Sequence, residues 1–113
     1  MKPFLPSLRE KKRYLVYEVE AEDKVDFKEL TQEIQSSIKN FIGDFGLAQA
    51  GLIALPDWNN NRGIIKVNTK ELDKIKTSLS LIKDVNGKPV IIKTIAVSGV
   101  IDKAKKELEK EEK

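Results

Sequence analysis

The residues best suited to chemistry in this chain are cations. Four of the five residues from Arg9 to Arg13 are basic, namely Arg9, Lys11, Lys12 and Arg13. Arg62, Lys66, Lys88 and Lys93 lie on or beside segments that read as strands. Arginine forks onto phosphate oxygens, and a lysine ammonium acts as a point charge. Each phosphate neutralised in this way releases counterions and makes binding salt-dependent. The chemistry on offer is therefore the holding of a polyanion. The chain has no histidine and no cysteine. That removes the commonest general base, the thiol nucleophile, the disulfide and the thiolate metal site. No paired carboxylates, glycine-rich phosphate loop or catalytic triad stand at a recognisable spacing. The expectation is a protein with no catalytic residues, no metal ligands and no bound cofactor of its own.

The distribution of charge sharpens this. The 113 residues carry 21 Lys and Arg against 18 Asp and Glu, a net charge of +3. Residues 1–13 alone are net +4, and the remaining hundred are net −1. A local excess of this kind points to a polyanion partner more directly than overall charge does. A solvated leader that keeps an apolar strand soluble is the competing explanation. The length suits one domain and is enough to bury a real core. No apolar run approaches a membrane span, no signal-peptide pattern opens the chain, and a cytoplasmic address is expected.

Several elements must position these cations. Residues 1–12 read as an extended basic arm, with Pro3 and Pro6 discouraging regular structure. A single domain is expected over 13–113. "RYLVYEVE" at 13–20 alternates as a strand, with Leu15, Tyr17 and Val19 on one face and Tyr14, Val16, Glu18 and Glu20 on the other. Asp26 and Glu29 form a capping-box pattern. Phe27, Leu30, Ile34, Ile38, Phe41 and Ile42 then give one apolar helical stripe, ended by Gly43 and Gly46. "AGLIAL" and "RGIIKVN" read as a hairpin joined by a polar "PDWNNN" loop that carries Trp58. Asn68 and Glu71 offer a second capping box, before a helix with Leu72, Ile75, Leu79 and Ile82 on one face. Asn86-Gly87 is a turn. "KPVIIKTIAV" is the last strand, with Pro89 favouring a sheet edge. Ser98 can cap a final helix from about residue 98, whose thin apolar line is Ile101, Ala104 and Leu108.

The order β-α-β-β-α-β-α predicts an α+β fold. Its first six elements match the ferredoxin-like (RRM-like) α/β sandwich, an antiparallel four-stranded sheet with two helices on one face, here plus a C-terminal helix. That fold hosts unrelated functions. An acylphosphatase-like hydrolase would need an arginine in the loop after the first strand, where this chain has the acidic "EAEDKVD". A base-stacking RNA-recognition motif would need rings on its third strand, where this chain has Ile64, Ile65 and Val67. Any RNA contact should therefore run through backbone and shape. A protein-interaction or regulatory module without an RNA role stays open at this point.

Five segments in register carry a resemblance. "PSLREKKRY" at 6–14, "GDFGLAQA" at 43–50, "RGIIKVN" at 62–68, "SLSLIKDV" at 78–85 and "NGKPVIIKTIAVSGVIDKAKK" at 86–106 resemble the ribonuclease P protein component 2 family of archaea. Eukaryotic counterparts of that family sit in nuclear ribonuclease P and the related mitochondrial-RNA-processing complex. Two departures stand out: Leu5 replaces a usual proline, and "AGLIALPDW" puts Trp58 in the loop rather than on the strand. The resemblance implies a non-catalytic subunit of ribonuclease P. There the RNA removes the 5′ leader of precursor tRNA using Mg²⁺. The protein pairs with a TIM-barrel-like partner, component 3, in a heterotetramer centred on a dimer of the ferredoxin-like chain. It favours phosphate contact for Arg9, Lys11, Lys12 and Arg13. Arg62, Lys66, Lys88 and Lys93, from their strand positions, are either solvated edge cations or an RNA-binding extension of the basic surface of the arm.

Overall fold

The computed structural model of the chain describes residues 11–109. The long strands are β1 (Lys12–Glu20), β2 (Ile53–Asn59) and β3 (Arg62–Asn68). A two-residue ribbon follows, β4 (Asp84–Val85) with β5 (Lys88–Pro89), and then the fourth long strand, β6 (Ile91–Ser98). The helices are α1 (Phe27–Ala50), α2 (Leu72–Ser80) and α3 (Ile101–Glu109). The four long strands form one antiparallel sheet in the order β2-β3-β1-β6. This is the ferredoxin-like sandwich expected from the order of elements.

The alternation in β1 divides the interior in two. Leu15, Tyr17 and Val19 join Ile65, Val67 and Ile92 on the inner face, under Leu30, Ile34 and Ile38 of α1 and Ile75 and Leu79 of α2. Val16 and Ile64 point the other way and are buried with Ala104 and Leu108 of α3. The C-terminal helix thus roofs the outer face of the sheet. Its three-residue apolar line is narrow because it covers only this small second core. Two side chains from the β2–β3 hairpin hold its far end. Arg62 Nη1 donates to the Glu107 carbonyl at 2.7 Å, and Asn60 Nδ2 to the Leu108 carbonyl at 3.0 Å. These are carbonyls that a helix end leaves without intrahelical partners. Arg62 Nε also pairs with Glu18 at 2.9 Å across the sheet.

Several local expectations are corrected. The first helical stretch of α1 does end at Gly43, as expected, but Gly46 does not stop the second stretch that follows. Gly43 leaves helical geometry at φ 78°, ψ 172°, a kink open to glycine, and the helix resumes to Ala50. Phe41, at the end of the stripe, is exposed, while Leu30, Ile34 and Ile38 stay buried. Trp58 lies on β2 opposite Gly63, not in a loop, so the hairpin turn shrinks to Asn60-Asn61. Both turn residues have positive φ, which matches the right-handed strand twist. The Trp58 ring packs on Phe27, with centroids 5.3 Å apart, and on Tyr17 at 6.3 Å. Asn68 makes no side-chain capping bond. Lys88-Pro89 belongs to the ribbon, and the last strand of the sheet begins at Ile91, at an edge. The final helix begins at Ile101. The Asp26 cap stands, accepting from the Glu29 amide at 3.2 Å.

Two stability outcomes follow from this packing. A Cβ on Gly63 would collide with the Tyr17 hydroxyl oxygen, on a ring fixed in the inner core. Gly63→Ala should cost about 1–3 kcal/mol. In a domain of this size that lowers Tm by roughly 4 °C or more, and an unchanged Tm would remove the close approach from the account. Arg62 and Glu18 keep side-chain exposures of only 9% and 12%. Arg62→Ala takes a donor from the Glu18 carboxylate and from the Glu107 carbonyl, and should cost about 3 kcal/mol in denaturant unfolding.

Candidate nucleic-acid interface

One end of the sheet gathers the start of β1, the end of β3 and the end of β6. Tyr14 pairs with Lys66 on one side and Ser98 on the other, and Arg13 pairs with Val67. The Thr69 amide and hydroxyl both donate to the Lys11 carbonyl, at 2.8 and 3.0 Å, which fixes the backbone where the arm meets β1. Lys70 follows Thr69 in the chain, and both Lys70 and Lys11 are exposed. Arg13 is half-buried, with Nη1 donating to the Lys12 carbonyl at 3.0 Å, and it lies close to Gly99. Lys66 Nζ sits 5.8 Å from the centre of the Tyr14 ring. Among the described residues no carboxylate pairs with Lys11, Arg13, Lys66 or Lys70.

Lys12 plays a different part. Its Nζ donates to Asn68 Oδ1, while Asn68 Nδ2 donates to the Gln49 carbonyl at 2.5 Å. A buried asparagine thus ties the start of β1 to the carboxyl end of α1, and the ammonium favours the negative end of that helix. Lys12 is a peg that sets the position of its neighbours.

The opposite end of β1 lies about 26 Å away at the usual strand rise, and its charges are balanced. Lys93 pairs with Glu20 at 2.7 Å, and Lys88 Nζ donates to the Lys24 carbonyl at 3.4 Å. Arg62 is buried against Glu18 and the end of α3. Glu20, Glu22 and Asp23 line a cleft there with Pro89, Val90 and Ile91. The eight candidate residues therefore separate. Lys11, Lys12, Arg13 and Lys66 lie at the same end of the sheet. Lys88 and Lys93 stand among carboxylates and carbonyls at the far end. Arg62 is corrected from a surface contact to a structural clamp, because its guanidinium is turned inward. Arg9 lies outside the described residues.

Lys70 belongs with the basic group but is absent from the sequence-derived set. In the sequence it reads as part of a helical first turn, and only the Thr69–Lys11 bonds bring it to the strand end. Ser98 accepts from the Val100 amide at 3.0 Å, so it serves the backbone just before α3. The Trp58 ring is consumed by packing. Burial pushes the Tyr17 phenol well above its usual range, so it stays neutral in the inner core. No helix among the described residues is long and apolar enough to cross a membrane.

Known proteins match this chain in sequence and in fold. The family model described as the Rpp14/Pop5 family matches residues 13–109. The ribonuclease P protein component 2 of Archaeoglobus fulgidus is 35% identical over 106 residues, which cover 94% of this chain and 95% of the relative. That of Methanosarcina mazei is 32% identical over 104 residues, covering 92% and 89%. That of Pyrococcus furiosus is 34% identical over 103 residues, covering 89% and 85%. In three dimensions the chain resembles one from the cryo-EM structure of yeast ribonuclease MRP, with a TM-score of 0.65 and 17% identity, covering 89% of this chain and 88% of that one. The last match concerns the fold, whereas the family model and the relatives agree in sequence over most of the chain. On that sequence agreement, the chain belongs to the Rpp14/Pop5 family.

Proposed function

We propose that this protein is a non-catalytic subunit of ribonuclease P that grips its RNA through the basic end of the sheet. One observation carries the reading: Lys11, Arg13, Lys66 and Lys70 lie at one end of the sheet where no described carboxylate pairs with them, whereas at the other end Lys93 and Arg62 are paired with Glu20 and Glu18. Family membership, and relatives named as ribonuclease P protein component 2, support it. The mechanism is electrostatic. The cations replace condensed counterions along the RNA backbone. Repulsion between neighbouring phosphates then falls, and the RNA needs less Mg²⁺ to hold its active form. In this reading Mg²⁺ belongs to the RNA, and cleavage of the precursor-tRNA 5′ leader is the RNA's chemistry.

Protein partners fit the same reading. Phe45 is 76% exposed beyond the Gly43 kink, and Phe41 and Leu81 are also exposed. Large apolar side chains left in water suit contact with another protein. The TIM-barrel-like component 3, and a second copy of this chain within a heterotetramer, are the partners proposed. The compartment proposed is the cytoplasm. The competing reading, a protein-interaction module without RNA, draws on the same exposed phenylalanines but gives no role to the unpaired cations.

Reconstitution separates the two. Precursor-tRNA cleavage is measured against Mg²⁺ with the RNA, component 3 and this chain. Replacing Lys11, Arg13, Lys66 and Lys70 together with alanine should raise the Mg²⁺ needed for half-maximal cleavage several-fold. The salt dependence of RNA binding should become shallower, by about 0.7 in the log–log slope for each single-strand phosphate that is no longer neutralised. Lys88→Ala with Lys93→Ala should leave both nearly unchanged. If the fourfold variant matches wild type in both measurements, the electrostatic role is wrong and the interaction-module reading takes its place.

A further inference from the structure

Tyr14 is the one ring among the described residues on the outer face of the sheet. Tyr17, Phe27 and Trp58 stack together on the inner side, and Phe41 and Phe45 lie on α1. The centre of the outer face is closed, because Ala104 and Leu108 seal Val16 and Ile64. Tyr14 stands at the margin of that second core. It packs against the core and remains partly exposed, next to Arg13 and across from Lys66. The Lys66 ammonium, 5.8 Å from the ring centre, occupies the approach to the ring.

We propose that Tyr14 stacks a single unpaired base of an RNA strand whose phosphates are held by Lys66, Arg13, Lys11 and Lys70. The proposal rests on the RNA-subunit reading and adds a base contact to it. An incoming base takes the place of Lys66 over the ring. The Lys66 ammonium, on its flexible stem, then turns to the neighbouring phosphate, so one cation–π contact is exchanged for a stack and an ion pair. The ligand is a single strand because the bases of a duplex are covered on both faces by their neighbours and their edges lie in grooves. Recognition is tolerant of sequence, since every base has a π-face. One ring admits one base, unlike the run of stacked bases that an open sheet accepts.

The test compares two probes of equal charge on the full chain by fluorescence anisotropy: a labelled single-stranded hexaadenylate and a labelled abasic ribose-phosphate hexamer. Wild type should bind the hexaadenylate roughly tenfold more tightly than the abasic strand. Tyr14→Phe should keep that ratio. Tyr14→Leu should bring it to one while leaving the salt slope unchanged, because stacking releases no counterions. Lys66→Ala should weaken both probes and lower the slope. Thermal unfolding checks that Tyr14→Leu still folds, and the wild-type and Tyr14→Phe ratios decide the matter if it does not. Equal, salt-dependent binding of both probes by wild type overturns the stacking site and leaves the RNA-subunit reading standing. Binding of neither probe overturns both.

Discussion

The packing of Ala104 and Leu108 onto Val16 and Ile64 decides which surfaces of this protein remain for a partner. A sheet that is apolar on both faces must be covered on both. Helices α1 and α2 cover one side, and the slender α3 covers the other. Its hold is reinforced where Asn60 and Arg62 meet its last carbonyls. With the middle of the outer face closed, the open-sheet mode of binding successive bases is lost. What remains accessible is the rim, and at its basic end stand Lys11, Arg13, Lys66 and Lys70, with which no described carboxylate pairs.

Strand β1 then works as a charged axis. Its first residues bring Lys11, Lys12 and Arg13 to one end, and its last bring Glu18 and Glu20 to the other. The ends are separated by about 26 Å of strand, against a screening length of about 8 Å at physiological ionic strength. The two ends therefore act independently in the cell. Phosphate at the basic end feels little of the carboxylates, and the pairs Lys93–Glu20 and Arg62–Glu18 neutralise much of the acidic end locally. A modest net charge is thus compatible with a strong local attraction.

Much of this is legible in the residue pattern, and the exceptions share a cause. The alternation of Leu15, Val16 and Tyr17, the Asp26 cap, and the Leu30, Ile34, Ile38 stripe are local signals, and the structure keeps them. Trp58 is misplaced by local reading because Pro56 and Asp57 suggest a loop. Strand β2 tolerates them because it is an edge strand with a break in its register. Gly43 ends a helical stretch as it reads, yet the chain turns back into helical geometry and Gly46 does not stop it. Arg62 reads as a solvated cation because its partner Glu18 is brought beside it only by sheet register. Lys70 is overlooked for the same reason. Local periodicity carries the elements; the burial of a charge depends on which distant strand lies alongside.

The register of β1 also has a consequence for how the molecule assembles. Tyr14 and Ser98 are neighbours in the sheet but lie near opposite ends of the described chain. Contacts so distant in sequence impose a loop-closure cost before they return any stabilisation, which slows folding. The basic end is complete only once β3 and β6 flank β1, so a partly folded chain does not present it. A polyanion that prefers the completed end binds the native form over the unfolded one, and by mass action it raises the stability of the whole domain. Ligand occupancy and foldedness thereby become one linked equilibrium, with the partner acting as a thermodynamic brace on the sheet that holds it.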